Sequence, residues 1–208
     1  DFNSAIDFFI IQELSKNIDA YRASTYIYKH KSMVSDKLFF GPVWDFNYAY
    51  GASSFCEGDQ FVGWQNNSSC GAANPVWFEK FLEDTTYANQ LNCRWKELRN
   101  NTLSAEAIFH LTDSLIEITQ DARERNFQRW NLSDTIYDMK IIELKSWIIN
   151  RLQWLDQNMF GDCDDLNLFL DVKSLVKIVD ILGKETTNKG FQLHIYDDGS
   201  VEKKYLIK

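Results

Sequence analysis

Apolar residues recur at Ile6, Phe9, Ile10 and Leu14, the spacing of one helical face. Ser4 followed by Asp7 resembles a capping box, so the pattern predicts a helix over residues 4–16. Two short runs rich in aromatic and β-branched residues follow, Thr25 to Lys29 and Lys37 to Val43. They predict the strands of a hairpin whose loop is His30 to Asp36. Residues 51–75 carry little periodicity and predict a long loop, which in a compact domain is usually functional or cross-linked. The helical period returns with Trp77, Phe78, Phe81 and Leu82, then with Tyr87, Leu91, Trp95 and Leu98 between Asp84 and Arg99. Ser104 caps a further helix through Ile108, Leu111, Leu115 and Ile118. Thr135 to Asn158 predicts another, with Ile141, Leu144, Ile148, Leu152 and Leu155. All these stripes are expected to face the core, with their Trp residues as packing anchors.

Past the acidic Gly161 to Asp165 the pattern changes to strands. Ser174 to Gly183, Phe191 to Tyr196 and Val201 to Ile207 predict a three-stranded unit, the last two joined at Asp197-Asp198-Gly199. The expected division is thus a larger region, 1–162, and a small β-rich tail, 171–208.

With 208 residues the chain can bury one sizeable core and a small appendage. It holds 15 Phe, 9 Tyr and 7 Trp but only two Pro, which excludes a disordered or collagen-like chain. A net charge of −8 without a basic block argues against nucleic acid or an anionic membrane as partner. No transmembrane segment is expected, since the apolar run around Ile6 to Ile11 is far short of the roughly 20 residues a helix needs. Asp1 already opens a core-facing helix, so a fragment or processed piece is expected, and lack of a leader is no evidence of a cytosolic home.

The four cysteines, Cys56, Cys70, Cys93 and Cys163, form no CxxC pair, and the three histidines are scattered, so a zinc site is not expected. In an exported protein the even count suggests Cys56–Cys70 and Cys93–Cys163. In a cytosolic one, four reduced thiols are the default.

The densest candidate chemistry lies in Lys37-Leu-Phe-Phe-Gly-Pro-Val-Trp-Asp45-Phe-Asn47-Tyr-Ala-Tyr-Gly51. In an extended segment Asp45 and Asn47 point the same way, with Trp44 and Phe46 toward the core. Two oxygen ligands so placed suit a hard cation such as Mg²⁺. The bland alternative is a polar strand end making turn hydrogen bonds.

The first 160 residues or so resemble the CotH family of spore-coat-protein-H-like kinases. The carrying residues are Asn17-Ile-Asp19-Ala-Tyr-Arg22-Ala-Ser24-Thr25-Tyr-Ile-Tyr-Lys29 and Gly41-Pro-Val-Trp-Asp45-Phe-Asn47-Tyr-Ala-Tyr-Gly51. The likeness continues through Cys93-Arg94-Trp95-Lys-Glu-Leu-Arg99, Arg125-Asn126-Phe127, Leu144-Lys-Ser-Trp147 and Arg151-Leu-Gln-Trp154-Leu-Asp156. The resemblance implies an α+β fold. Its parts would be a mostly helical, kinase-like C-terminal lobe, a short hairpin carrying the metal site, and a strand tail. It implies transfer of phosphate from ATP, with Mg²⁺, to Ser of a surface or coat protein. It assigns Asp19 as the catalytic-loop carboxylate and Asp45 as the metal ligand beside ATP. Asn47 stands where many members carry a second Asp, and Ser24 at the offset where ordinary kinases place a metal-binding Asn. The family's N-terminal half, which supplies the phosphate-neutralising lysine, is expected to precede Asp1, so this stretch alone is expected to be inactive.

The tail resembles the sorting region of Bacteroidota proteins exported by the type IX secretion system. This rests on Leu175-Val-Lys-Ile-Val-Asp-Ile-Leu-Gly183-Lys-Glu185 and Ile195-Tyr-Asp-Asp-Gly199-Ser-Val-Glu-Lys203. It implies a secreted or surface protein recognised by that export machinery, and favours oxidised cysteines. Two functions follow: an exported protein kinase, or a non-catalytic adhesion or assembly protein on a kinase-like scaffold.

Overall fold

The computed structural model describes residues 1–31, 35–68, 75–163, 175–187, 190–196 and 201–206. The architecture is α+β, as expected. Helix α1 (Phe2–Ser15) is central, with Ala5, Ile6, Phe8, Phe9, Ile10 and Leu14 all buried. Gln12, Glu13 and Ser15 are buried too, so α1 is enclosed on more than the single predicted face. The predicted Ser4–Asp7 capping box does not form. The helix starts two residues earlier, and Asp1 is the cap, accepting from the Ser4 amide at 2.8 Å. Asp7 instead pairs with Arg94 at 2.8 Å on the surface.

Helices α2 (Trp77–Glu83) and α3 (Thr85–Arg99) follow the loop, and Asp84 caps α3 by accepting from the Thr86 and Tyr87 amides. Helix α1 packs against α3 and the second half of α6 (Asp134–Asn158). Phe78 fills the gap at the end of α1, its ring centroid 5.0 Å from Tyr21, 5.1 Å from Phe40 and 5.7 Å from Phe9. Such aromatic pairs contribute about 0.5–1.5 kcal/mol each beyond their buried area.

One predicted core face, and one residue of another, are corrected. In α4 (Ala105–Ile118) no residue is buried, and Leu111, Leu115 and Ile118 are 60%, 52% and 78% exposed. Helix α5 (Gln120–Trp130), which the apolar pattern did not announce, buries none either. An apolar stripe becomes core only where a neighbour covers it. Here α4 leans on α6 with Ala105, Ile108 and Phe109 drawn toward the core cluster. Trp77 likewise stays 49% exposed while Phe78, one position on, is buried.

Strands β1 (Ile27–Lys29) and β2 (Leu38–Phe40) pair, and both are shorter than predicted. Gly41 still donates to the Tyr26 carbonyl, but Pro42 has no N–H with which to extend the ladder. The tail forms a separate antiparallel sheet, β3 (Leu175–Val179), β4 (Gly190–Tyr196) and β5 (Val201–Leu206), in that order. Strand β3 stops at Val179, short of the predicted Gly183. The Asp180 carboxylate accepts from the Leu182 and Lys184 amides and turns the chain. The predicted 197–199 turn lies outside the described residues.

The chain divides into two compact units, Asp1–Tyr28 with Phe39–Asp164, and Lys29–Leu38 with Asp165–Lys208. Within the first, a Cys93–Cys163 disulfide joins α3 to the segment after α6. Gly161 makes that approach possible. Its φ is +74°, and a Cβ there would sit 2.2 Å from the Ala88 carbonyl oxygen. Cys56 is also disulfide-bonded, whereas its expected partner Cys70 lies outside the described residues. Among the described residues no helix is long and apolar enough to cross a membrane.

Candidate functional site

The site is built where α1 ends. Lys16 takes a left-handed conformation (φ 46°), and its amide closes the helix on the Gln12 and Glu13 carbonyls. The chain then turns tightly. The Asp19 carbonyl accepts from the Ala23 and Ser24 amides, at 3.1 and 2.9 Å. Tyr21 sits in this turn with φ 69°, an uncommon state for a bulky residue. It is held there by burial against Phe78 and by its hydroxyl, which donates to Glu13 Oε1 at 2.8 Å. The turn is therefore fixed by its surroundings, a common property of functional loops.

Asp45 lies on a second turn beside the first, and its geometry differs from expectation. Its φ is +63°, so the segment is not extended and the two-residue alternation fails. Trp44 does not face the core but is 46% exposed, and Phe46 is only half-buried. Asp tolerates this left-handed state better than most residues.

Two residues lock the turns together. Asn17, fully buried, donates from Nδ2 to the Asp45 carbonyl at 3.3 Å, and its Oδ1 accepts from the Asp19 amide at 3.3 Å. Ser24, 1% exposed, donates its hydroxyl to Asp45 Oδ2 at 3.4 Å. Thus Ser24 and Asp45 meet, and Asp19 is tied to both through the backbone. The half-buried Asp19 carboxylate itself takes no hydrogen bond or ion pair among the described residues. It neither caps the turn nor pairs with Arg22. Asn47 is exposed on the Asp45 turn and is not drawn to Ser24. Among the described residues no three His, Cys, Asp or Glu side chains cluster. The site therefore offers a carboxylate and a hydroxyl, with an amide close in sequence. Hard oxygen donors in such small number fit Mg²⁺, which keeps waters and takes phosphate oxygens for its other positions.

Beneath these turns lies a buried ionic hub that the sequence reading missed. Arg151, fully buried on α6, donates twice to the Glu13 carbonyl and reaches Glu13 Oε2 at 3.2 Å. It also donates to the Phe61 and Gly63 carbonyls, at 2.9 and 2.7 Å. The Glu13 carboxylate accepts from the Gln65 and Asn66 amides, both at 2.8 Å. Burial pushes Glu13 up from its ordinary 4.5, and Arg151 opposes the shift. Burial also pushes Arg151 down to about 10. The only signal available in the sequence was three charges, Glu13, Lys16 and Arg151, set among core positions.

Lys16, 4% exposed, completes the hub by donating to the Glu57, Gln60 and Val62 carbonyls at 3.0, 2.9 and 2.7 Å. The long loop is thus cross-linked by one ammonium. Lys16→Met is expected to cost about 2–3 kcal/mol, since charged hydrogen bonds are lost and carbonyls left unpaired. Hydrogen exchange should accelerate at residues 57–63 while the α3 core keeps its protection. Uniform acceleration over both regions would deny Lys16 a local role.

The family model described as CotH kinase protein matches residues 1–155, a stretch containing Asp19, Ser24, Asp45 and Asn47. The chain belongs to this family and is a kinase-like protein. Comparison with curated proteins and with solved structures gives no match.

Proposed function

We propose that this chain is part of an exported CotH-like protein kinase that transfers the ATP γ-phosphate to Ser of a secreted or surface protein. The observation that carries this is the locking of the Asp19 turn to the Asp45 turn by Asn17 and Ser24, with the Asp19 carboxylate taking no structural hydrogen bond or ion pair among the described residues. Asp45 and Ser24 would hold Mg²⁺, with Asn47 on hand to add an amide oxygen. Bound Mg-ATP supplies the phosphoryl group and the metal charge that offsets its oxygens. Asp19 orients the acceptor serine hydroxyl and takes its proton as the oxygen commits to phosphorus. Asn17 sets the spacing between the two acids, because one rigid amide bonds both backbones.

Export is supported by the Cys93–Cys163 disulfide, a bond that persists in oxidising compartments, and by the small β tail, whose sequence resembles a type IX sorting region. The competing reading, a non-catalytic surface scaffold, draws on the lone carboxylate at the metal position and on Asn47 in place of Asp. The deciding experiment is Mg²⁺-dependent transfer from labelled ATP by full-length protein, alongside calorimetric Mg-ATP binding. Neither transfer nor binding would leave the scaffold.

A further inference from the structure

Helix α4 carries two apolar faces, and the fold uses one of them. Phe109 and Asp113 face α6, where the Lys145 ammonium lies 5.3 Å from the Phe109 ring centroid and bonds the Asp113 carboxylate. Ala105, Ile108 and Phe109 pack at the core cluster. Leu111, Leu115 and Ile118 turn away from both contacts. Each is more than half exposed, so no described residue closes over them. With Ile108 they recur at intervals of three, four and three, the spacing of a coiled-coil seam and narrower than a broad core face. An apolar strip of that width fits one other helix. Exposed apolar surface of this kind marks a site of association.

The flanks of the strip suit a dry contact. On this spacing Ala107, Thr112, Ser114 and Thr119 take the positions beside the seam, where coiled coils usually place the charges that choose a partner. All four are small and uncharged, so a second helix can approach closely. Their three hydroxyls are already engaged within α4. Thr112 donates to the Ile108 carbonyl at 2.8 Å, Ser114 to that of His110 at 2.9 Å, and Thr119 to that of Leu115 at 2.7 Å. Covering them therefore strands no donor. The charged residues of α4 are all acidic, Glu106, Asp113 and Glu117, and by the same spacing they fall off the strip.

We propose that the outer strip of α4 is a self-association surface, occupied by α4 of a second copy of this chain across a two-fold axis. A two-fold pairing lays each apolar strip on the other, and the acidic residues of both helices stay outside the contact. A seam without flanking charges carries nothing that repels its own copy, and nothing that selects a different helix over it. Helix α4 is already held by the fold, so pairing orders no new segment. That offsets the shortness of a seam of two heptads. One helix pair buries at most about 1,000 Å², the low end for specific interfaces, which sets Kd on the order of 10–100 μM. The surface is independent of phosphate transfer, so pairing here tests nothing about Asp19 or Asp45.

The test is sedimentation equilibrium of the whole chain over roughly 5–500 μM, a range that brackets the expected Kd. Wild type should pass from monomer to dimer across it. Leu115→Glu should raise Kd at least about 100-fold, because each copy would bury an unpaired carboxylate near the axis. Ile142→Glu places the same charge on the exposed outer side of α6 and should leave dimerisation unchanged. Both changes fall on exposed side chains, and an unaltered thermal midpoint shows that the fold is kept. Leu115→Glu mixed with Leu115→Lys should recover dimer, since the residue nearest the axis meets its own copy. Non-specific adhesion would not give that recovery. A wild type that stays monomeric at the highest concentration would overturn the proposal. So would a dimer that Leu115→Glu leaves intact or that Ile142→Glu abolishes. Mixed Leu115 variants that remain monomeric would rule out pairing of α4 with itself.

Discussion

Asp19→Ala is expected to lower phosphate transfer by about 10²–10⁴-fold while Mg-ATP still binds, and Asp45→Ala to lose transfer and Mg-ATP binding together. The difference follows from where each carboxylate sits. The Asp19 side chain has no partner among the described residues to leave stranded, so its removal deletes proton acceptance and orientation, worth that range in known acid–base catalysts. Its loss should therefore fall on kcat, with KM for ATP little changed. Asp45 receives the Ser24 hydroxyl and is the carboxylate proposed to hold the metal. Its loss should appear in calorimetry as lost Mg-dependent nucleotide affinity. Both experiments use full-length protein and follow autophosphorylation or a serine peptide. If Asp19→Ala lost nucleotide binding as well, Asp19 would be a ligand and not the proton acceptor. If both variants matched wild type, neither carboxylate would belong to a catalytic centre.

Arg151→Met is expected to destabilise the protein by about 3–5 kcal/mol at neutral pH, measured as the shift in urea unfolding. Removing one partner of a buried ion pair strands the other, and that charge is what costs. Here Glu13 would be stranded at 0% exposure, and the Phe61 and Gly63 carbonyls would lose their donor. The effect should also depend on pH. Burial has raised the Glu13 pKa, and a carboxyl with a raised folded pKa contributes stability below its unfolded value that is lost as pH rises through the folded one. Without Arg151 the folded value rises further, so the variant loses more on the way from acid to neutral. The gap between variant and wild type should therefore be narrow near pH 4.5 and wide at pH 7. A gap that stays constant would mean that Glu13 is not charged against Arg151. Glu13→Gln with Arg151→Met should recover part of the loss, because the stranded charge is gone.

Helix positions were largely legible because caps and stripes are local. Asp84 and Ser104 fix where α3 and α4 begin, and both side chains cap as such residues should. Burial was less legible. The spacing of Leu111, Leu115 and Ile118 says that they share a face, and nothing local says whether a neighbour covers it. Of the site, the sequence offered the acids and the serine but not their arrangement. Alternation put Asp45 and Asn47 on one side of a strand, whereas a left-handed φ at Asp45 turned it toward Ser24. Asn17 was visible as part of a motif, but its role depends on two backbone groups from different turns. The Glu13–Arg151 contact spans 138 positions, a separation at which no periodicity carries information.

The Cys93–Cys163 bond spans a sequence separation of 70 residues, and α4, α5 and α6 all lie inside the covalent ring that it closes. In a chain-entropy picture such a ring is worth about 4 kcal/mol. Its other consequence concerns backbone scission. The least buried helices, and the exposed Asn131 to Ser133 turn between α5 and α6, fall within the ring, so a protease cutting there frees no fragment. Arg151 stays attached beside Glu13, and the turns bearing Asp19 and Asp45 lie outside the ring altogether. On a gel such a nicked chain should migrate as one species until a reductant is added, and as two afterwards.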